Sequence, residues 1–340
     1  MTHRLGIASL LLAGCSDYDV KGLHEDPVSP LLDTAFEEEE EEQCPDAPPE
    51  VSVEAPLCDT VVQGRAVNFS AFVVDDGDPD DLWLRWESDR DGLLAEGTLQ
   101  TAGRLTTQLS PGGHLLSLLV EDACGNQVTS QHTVQVVEPI GSYLPQSPDG
   151  LGFDADGLLW VADWTTNEVV RMDPHTFEVI WRYDLPYAGA DGVTQMTDQI
   201  LVSFFHANHV LALDACTGAV IGGWPSPTAG GVSDVAWDGK DLWVTDYQLQ
   251  QIHRVDPATG ASLQVFAAPY PYSNGLVFDG EHFWLTANAD SNRIARLDRN
   301  FQVIEEIVHT GGDPRGIAFD GTWIWWADGT AGSIGPLVAP

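Results

Sequence analysis

Residues 139–340 carry a repeated pattern of short apolar segments separated by turn residues. The repeats begin at steps of 42, 42, 41 and 41 residues, with first segments that start at Pro148, Ala190, Val232, Ser273 and Pro314. A second and a third apolar segment follow in each repeat, as at residues 159–163 and 169–173, and a fourth runs through residues 179–183 and its equivalents. Four short strands in a period of about 40 residues are typical of one propeller blade. The repeat therefore predicts an all-β fold with a five-bladed β-propeller over residues 139–340.

The last repeat ends soon after its third strand and lacks a fourth. Residues 140–145 precede the first repeat much as residues 180–186 precede the second. We therefore expect residues 140–145 to pair with the last blade and close the ring. Such closure would remove two exposed sheet edges.

Residues 48–138 show a different rhythm, in which apolar and polar residues alternate over short segments. Alternation with period two predicts half-buried strands. The segments are residues 51–53, 66–73, 82–86, 115–120 and 133–137. About 90 residues with this pattern predict a small antiparallel β-sandwich.

Asp-Gly pairs lie between the first and second strands of four repeats. They are Asp156-Gly157, Asp238-Gly239, Asp279-Gly280 and Asp320-Gly321. Because glycine readily adopts the positive φ that tight turns need, we interpret these pairs as hairpin turns on the face opposite the channel mouth.

Residues 1–15 are predicted to form an export signal peptide. An apolar run over residues 5–12 is too short to span a bilayer and ends at Leu-Ala-Gly-Cys. This motif resembles the lipobox of bacterial lipoproteins, which implies lipidation of Cys15 and membrane anchoring. In that family Ser16 after the cysteine implies an outer-membrane lipoprotein of the cell envelope. The alternative is an ordinary secretory signal with a chance cysteine.

Residues 16–47 lack apolar periodicity and contain six consecutive glutamates, residues 37–42. Charge repulsion and nearby prolines predict an extended, disordered acidic linker. The whole chain has 52 acidic and 14 basic residues, a formal net charge of -38. Such a charge repels phosphate backbones, so we expect no nucleic-acid partner.

Four cysteines remain if Cys15 is lipidated, namely Cys44, Cys58, Cys124 and Cys216. An oxidising compartment permits disulfides, and four cysteines allow three complete pairings. Among these we favour a Cys58–Cys124 bond, and we expect Cys216 to be a free thiol in a propeller turn.

Two family resemblances extend this interpretation. Val-Glu-Asp-Ala-Cys-Gly-Asn before the last strand of residues 48–138 is similar to the PKD or Ig-like modules of bacterial surface proteins, which implies a spacer or adhesion unit. Leu-Trp-Val-Ala-Asp-Trp, from residue 159, and Leu-Trp-Val-Thr-Asp-Tyr, from residue 242, resemble NHL-type and gluconolactonase-like propellers. That resemblance implies the fold over residues 140–340, on which scaffolds, lyases and lactonases all occur.

Blade topology places the chain that enters each first strand and the chain that leaves each second strand on one face. The entering segments would form an inner ring of Asp149, Asp191, Ser233, Asn274 and Arg315. The leaving segments would form an outer ring that includes Asp163, Trp164, His206, Tyr247, Asn288 and Asp328. Carboxylates, amides, an imidazole and a guanidinium around one pocket suit ligand recognition, although Asp and Asn before Gly also form turns. The predicted ligand-binding residues are Asp149, Asp191, Ser233, Asn274, Arg315, His206, Tyr247 and Asn288.

The gluconolactonase-like resemblance implies a divalent ion held by the Asn of Ser-Asn-Gly-Leu, the Asp of Pro-Asp-Gly and an early Glu. Asn274 and Asp149 match the first two motifs, but no equivalent Glu is evident and Arg315 stands where another Asp belongs. With Asp191 they form the candidate set for calcium or another divalent cation. Arg315 suits an anionic ligand group, such as a carboxylate, at least as well.

Two functions are compatible with these features. The first is non-catalytic binding or scaffolding through one propeller face, with a cell-surface or periplasmic protein or glycan as partner and the membrane contacted through lipidated Cys15. The alternative is a metal-dependent hydrolase or lyase of lactonase-like type at the channel mouth, with His206 as a base.

Overall fold

The computed structural model describes residues 47–288, 292–308 and 312–337. The predicted lipidation site Cys15 and the acidic linker, apart from its last residue, lie outside these ranges. Asp46–Pro340 forms one compact unit, so the sandwich and the propeller are packed together. Within the described ranges, no helix has both the length and the apolar character needed to cross a bilayer.

The N-terminal module consists of two β-sheets. Its described strands are β1 (Glu50–Glu54), β2 (Thr60–Val62), β3 (Val67–Val74), β4 (Trp83–Ser88), β5 (Gly92–Thr98), β6 (Arg104–Thr107), β7 (Gly112–Glu121) and β8 (Gln127–Val137). A short α-helix, α1 (Leu99–Ala102), and 3-10 turns at Leu57–Asp59 and Pro79–Asp81 connect them. One sheet has the order β1-β3-β6 and the other β2-β8-β7-β4-β5, with β2 parallel to β8.

The predicted alternation explains how these two sheets pack. Successive residues of β4 and β7 alternate between partly exposed and buried positions, which gives each strand one apolar face. Phe69 from one sheet and Trp86 from the other are fully buried, with ring centroids 6.2 Å apart. The Trp86 indole N–H donates to the backbone oxygen of Ala102 at 2.8 Å, which satisfies its polar group inside the core.

The repeated region forms five antiparallel sheets in the described ranges. The first contains β9 (Gly141–Ser142), β10 (Pro148–Phe153), β11 (Leu159–Asp163), β12 (Glu168–Met172) and β13 (Glu178–Asp184); the second contains β14 (Ala190–Met196), β15 (Gln199–Phe204), β16 (His209–Asp214) and β17 (Val220–Pro225). The third contains β18 (Val232–Trp237), β19 (Leu242–Asp246), β20 (Gln251–Val255) and β21 (Ser262–Ala267). The fourth contains β22 (Ser273–Phe278), β23 (Phe283–Ala287), β24 (Arg293–Leu297) and β25 (Val303–Val308), and the fifth contains β26 (Pro314–Phe319), β27 (Ile324–Asp328) and β28 (Ser333–Pro336).

The first strands of these sheets line a central channel. Strand β10 contacts β14, β14 contacts β18, β18 contacts β22, and β22 contacts β26, which returns to β10. Buried side chains fill the gaps between neighbouring sheets, as Trp160 and Val202 do between the first and second. This closed ring of radially arranged antiparallel sheets is a β-propeller.

The expected role of residues 140–145 as the last strand of the last blade is wrong. Strand β9 pairs with β13, the outer strand of the first sheet, through Glu178 opposite Ser142 and Val179 opposite Gly141. The buried Tyr143 hydroxyl donates to Asp163 at 2.5 Å, which ties the segment to the first sheet. The last sheet has three strands among the described residues.

The predicted Cys58–Cys124 bond is also wrong. Cys58 is bonded to Cys216, with Cα atoms 5.2 Å apart, so the thiol expected to be free joins the sandwich to the second propeller sheet. Cys124 is likewise disulfide-bonded. The Arg65 guanidinium lies 3.3 Å from an Asp173 carboxylate oxygen beside this junction of the two modules. Sequence alone could not identify the pairing, because bond formation depends on a Cα separation across 158 residues of chain.

Candidate functional site

A cavity of about 330 Å³ opens at one end of the channel. Its lining comes from the starts of first strands and the loops after second strands, as the propeller topology predicts. The lining residues are Ser147, Asp149, Trp164, Asp191, Phe205, His206, Ser233, Tyr247, Asn274, Asn288 and Arg315. All eight predicted ligand-binding residues are brought together here, and their role in binding stays a prediction.

Irregular pairing at the start of each first strand positions the inner ring. The register between first and second strands shifts in all five sheets, and in the first sheet it does so between Pro148 and Gly150. Such bulges re-aim side chains and are common beside functional sites. Asp149, Asp191, Ser233 and Asn274 each lie within the shifted stretch of their own strand, as does Arg315.

Glycine follows the ring residue in four of the five sheets because neighbouring strands approach closely there. A Cβ at Gly150 would lie 2.2 Å from the backbone oxygen of Asp191, and one at Gly316 would lie 2.4 Å from that of Asp149. No real side chain tolerates such distances, so glycine permits the narrow channel. The Asp-Gly pattern at Asp149 and Asp191 therefore reflects packing of the ring as well as chemistry.

Arg315 is held by carboxylates of the protein itself. Its Nη1 lies 2.5 Å and 2.8 Å from the two oxygens of Asp149, and its Nε donates to Asp313 at 2.9 Å. Although burial alone would lower it, these two carboxylates raise the pKa of Arg315. Burial raises the pKa of Asp149 to about 6, even though the neighbouring guanidinium lowers it. The guanidinium is therefore already matched in charge, which weakens its suitability for an anionic ligand.

Asp191 has a different environment on the neighbouring sheet. Its side chain is buried, and Oδ2 accepts a hydrogen bond from the Phe205 backbone N–H at 3.1 Å. Oδ1 receives no hydrogen bond from any residue in the described ranges. Burial, followed by the negative charge of Asp149, raises the pKa of Asp191 well above its usual value. One carboxyl oxygen of a largely buried residue is thus available at the cavity.

Asn274 presents a second unused polar group to the cavity. The residue is only 5% exposed, and its backbone oxygen accepts from the Thr245 hydroxyl at 2.9 Å. Its side-chain amide makes no hydrogen bond with the part of the chain that the structure describes. Ser233 differs, because its hydroxyl bonds the Thr245 hydroxyl at 2.9 Å and the backbone oxygen of Ser273 at 3.1 Å. Ser233 therefore serves mainly to join neighbouring sheets.

Aromatic rings form the cavity wall above Asp191. Trp164 and His206 have ring centroids 5.0 Å apart, and Phe205 and Tyr247 have centroids 5.7 Å apart. The Tyr247 hydroxyl donates to the Asn288 side-chain oxygen at 2.9 Å. The exposed His206 lies at the rim. The sequence did not lead us to predict Phe205. The available signal was its position directly after the second strand of its repeat, which is the position that Trp164 and Tyr247 occupy in theirs.

Asp163 and Asp328, expected in the outer ring, do not line the cavity. Asp163 is 1% exposed and accepts backbone N–H groups of Gln146 and Ser147 at 3.1 and 3.2 Å. Asp328 accepts a backbone N–H from Thr330 at 2.9 Å. Both carboxylates accept hydrogen bonds from loop backbone groups. For Asp328, which precedes a glycine, this is the turn-forming role predicted as the alternative for Asp before Gly.

Asp234 is a buried acid that sequence reasoning missed. It stands where the other four repeats have glycine, and this difference was the available signal. Its two oxygens accept the Val235 and Leu276 backbone N–H groups at 2.8 and 2.7 Å, so it links the third and fourth sheets. Burial raises its pKa well above the usual value, and its charge in turn raises the pKa of Asp191.

The predicted metal set of Asp149, Asp191 and Asn274 fits a divalent ion poorly. Both oxygens of Asp149 contact Arg315, so an ion at this point would have to displace the guanidinium or face its positive charge. Among the described residues, no group of three or more His, Cys, Asp or Glu side chains is arranged to hold a metal ion.

Comparisons with known proteins give no functional assignment. No family model matches the chain, and no curated protein matches it. Similar solved structures include a glutaminyl cyclase from Myxococcus xanthus, with 10% identity, a TM-score of 0.49, and coverage of 58% of this chain and 91% of that one. They also include a virginiamycin B lyase from Staphylococcus aureus, with 18% identity, a TM-score of 0.40, and coverage of 85% and 98%. Likenesses this distant carry no information about activity.

Proposed function

We propose that this chain is a lipid-anchored cell-envelope protein whose propeller binds a small ligand in the channel cavity without catalysing a reaction. The observation that carries the binding role is the presence of two polar groups that face one cavity and have no hydrogen-bond partner in the described part of the chain, Asp191 Oδ1 and the Asn274 side-chain amide. A bound ligand would supply the missing partners.

The other parts of the proposal concern architecture and location. We propose five blades, with β26–β28 as the fifth, and an Ig-like or PKD-like identity for the sandwich. The five described sheets and the two-sheet packing support these assignments; an experimental structure with another sheet in the ring would reject the count. The lipobox-like Leu-Ala-Gly-Cys supports anchoring at Cys15 and an outer-membrane location.

The binding role can be tested without knowing the ligand. Asn274→Leu removes an amide that has no hydrogen-bond partner among the described residues, so the ligand-free variant should be at least as stable as the wild type. Thr245→Val is the matched control, because its buried hydroxyl donates to a backbone oxygen and its loss should lower the free energy of unfolding by about 1 kcal/mol. Urea unfolding of the full chain measures both.

A structural role for Asn274 predicts the opposite result. If Asn274→Leu destabilises the protein as much as Thr245→Val does, the amide serves the fold and the binding proposal loses its basis. Equal or greater stability of Asn274→Leu supports a group retained for a ligand.

The alternative of a metal-dependent hydrolase or lyase has less support. It requires Asp149 as a ligand, whereas Asp149 is paired with Arg315, and its candidate base His206 is exposed to solvent.

A further inference from the structure

The charge of the cavity is unevenly distributed around the ring. Arg315 belongs to the fifth sheet, Asp149 to the first and Asp191 to the second, so Asp149 separates the guanidinium from Asp191 along the ring. Asp149 and Asp313 together already oppose the single positive charge of Arg315. The side of the cavity formed by the second sheet therefore holds a carboxyl group, that of Asp191, which forms no ion pair with any described residue.

The aromatic wall lies on this same side. Trp164 follows β11, Phe205 follows β15 and Tyr247 follows β19, which are the second strands of the first three sheets. Their rings are close enough to share a ligand, since the Trp164 and Phe205 centroids are 6.4 Å apart and those of Phe205 and Tyr247 are 5.7 Å apart. Aromatic faces attract cations, most strongly where water is excluded.

We propose, on the basis of the binding role above, that the ligand is a small organic cation whose amino group contacts Asp191 beneath Trp164, Phe205 and Tyr247. An ammonium group donates hydrogen bonds and has no lone pair, so it complements the unused Oδ1 of Asp191. The side-chain oxygen of Asn274 offers a further acceptor in the same cavity.

The size of the cavity and the net charge of the protein both suit a small organic cation. A cavity of about 330 Å³ accommodates an amine with a ring or short chain and excludes a folded partner. The formal net charge of -38 attracts cations toward the surface and repels anions. An anionic ligand at Arg315 would instead meet the negative charges of Asp149 and Asp313.

Three probes of similar size and different charge test the proposal: benzylamine, benzyl alcohol and benzoate. We expect isothermal titration of the full chain at neutral pH to give a dissociation constant for benzylamine below about 10 mM, at least about tenfold lower than for the other two. A bound ammonium favours the ionised form of Asp191. Asp191→Asn keeps an acceptor for the Phe205 N–H but cannot ionise, so it should weaken benzylamine binding at least about tenfold.

Asp198→Asn is the matched control. Asp198 is an exposed turn residue outside the cavity, and its substitution changes the net charge of the protein by the same amount. Unchanged benzylamine affinity in this variant assigns the effect to Asp191. If benzylamine affinity falls equally in both variants, the effect comes from the net charge of the protein and not from Asp191, and the proposal is overturned.

The remaining outcomes separate this inference from the binding role. If benzoate or benzyl alcohol binds as tightly as benzylamine, the cation assignment is overturned, but the proposed binding role of the cavity stands. If no probe binds, the cation assignment fails, and the stability of Asn274→Leu then decides the binding role by itself.

Discussion

At the residue scale, identical side chains in equivalent positions acquire different properties from their neighbours. Asp149 and Asp191 both precede a glycine in the first strand of a sheet. Asp149 faces Arg315, whereas Asp191 faces the cavity with one oxygen unused. The pKa of each is raised first by burial. The charge of Arg315 opposes both rises, but only Asp149 also accepts hydrogen bonds from it. These two residues therefore differ in chemistry although the repeat makes them look equivalent.

Titration of Asp191 predicts a pH-dependent stability difference. The folded pKa lies above the unfolded value of about 3.9, so the wild type loses stability as pH rises through the folded pKa. Asp191→Asn lacks this loss and should become more stable relative to the wild type as pH rises, by about 1.4 kcal/mol for each unit of the pKa shift. Urea unfolding at acidic and mildly alkaline pH measures the difference; parallel pH profiles for the two proteins would contradict the prediction.

At the element scale, the Asp-Gly pairs do more than reverse the chain. The glycines have the predicted positive φ, for example 89° at Gly239 and 99° at Gly280. Three of the aspartates also receive an indole N–H: Asp238 from Trp243 at 3.0 Å, Asp279 from Trp284 at 2.7 Å and Asp320 from Trp325 at 2.7 Å. The recurrent tryptophans of the second strands thus fasten the turns as well as filling the space between sheets.

Asp279 allows a direct test of this turn. Its carboxylate also accepts the His282 backbone N–H at 2.7 Å. Asp279→Ala leaves these donors without their partner and should lower the free energy of unfolding by about 1–3 kcal/mol. Although burial raises it, hydrogen bonds from His282 and Trp284 lower the pKa of Asp279 overall, so this stabilisation should disappear as pH falls through the folded pKa.

Asp184→Ala provides the comparison for that measurement, because Asp184 is exposed and lies on β13 away from the turns. Equal unfolding free energies for the two alanine variants at neutral pH would show that the turn carboxylate contributes nothing.

At the scale of the whole molecule, the sandwich and the propeller are joined covalently. The Cys58–Cys216 bond connects the 3-10 turn Leu57–Asp59 to the turn after β16, and buried Val62 packs with Leu158 and Ile180 nearby. A spacer joined by a flexible linker would let the propeller move freely. Here the propeller is carried on the sandwich as part of one compact unit.

The proposed anchor belongs to this scale as well. Cys15→Ser removes the thiol that would be acylated, so the protein should move from the membrane fraction to the soluble fraction on cell fractionation. Ser16→Ala, which leaves the thiol in place, should stay with the membrane. Continued membrane retention of Cys15→Ser would reject lipid anchoring through this residue.

The pattern along the chain was sufficient to predict the propeller and the residues around its cavity. A period of 41 or 42 residues and alternating apolar positions are local properties, and a closed ring of repeats brings equivalent positions to one end of the channel. The ring residues Asp149, Asp191 and Asn274 could therefore be selected before their contacts were known.

Other features depended on the three-dimensional arrangement of distant segments. The pairing of Arg315 with Asp149 spans 166 residues of sequence, and the Cys58–Cys216 bond spans 158. Strand β9 lies on the first sheet because Tyr143 is buried there against Asp163, a contact that no repeat pattern encodes. Local periodicity specifies strands and their faces, whereas distances between side chains on different sheets follow only from how the sheets pack.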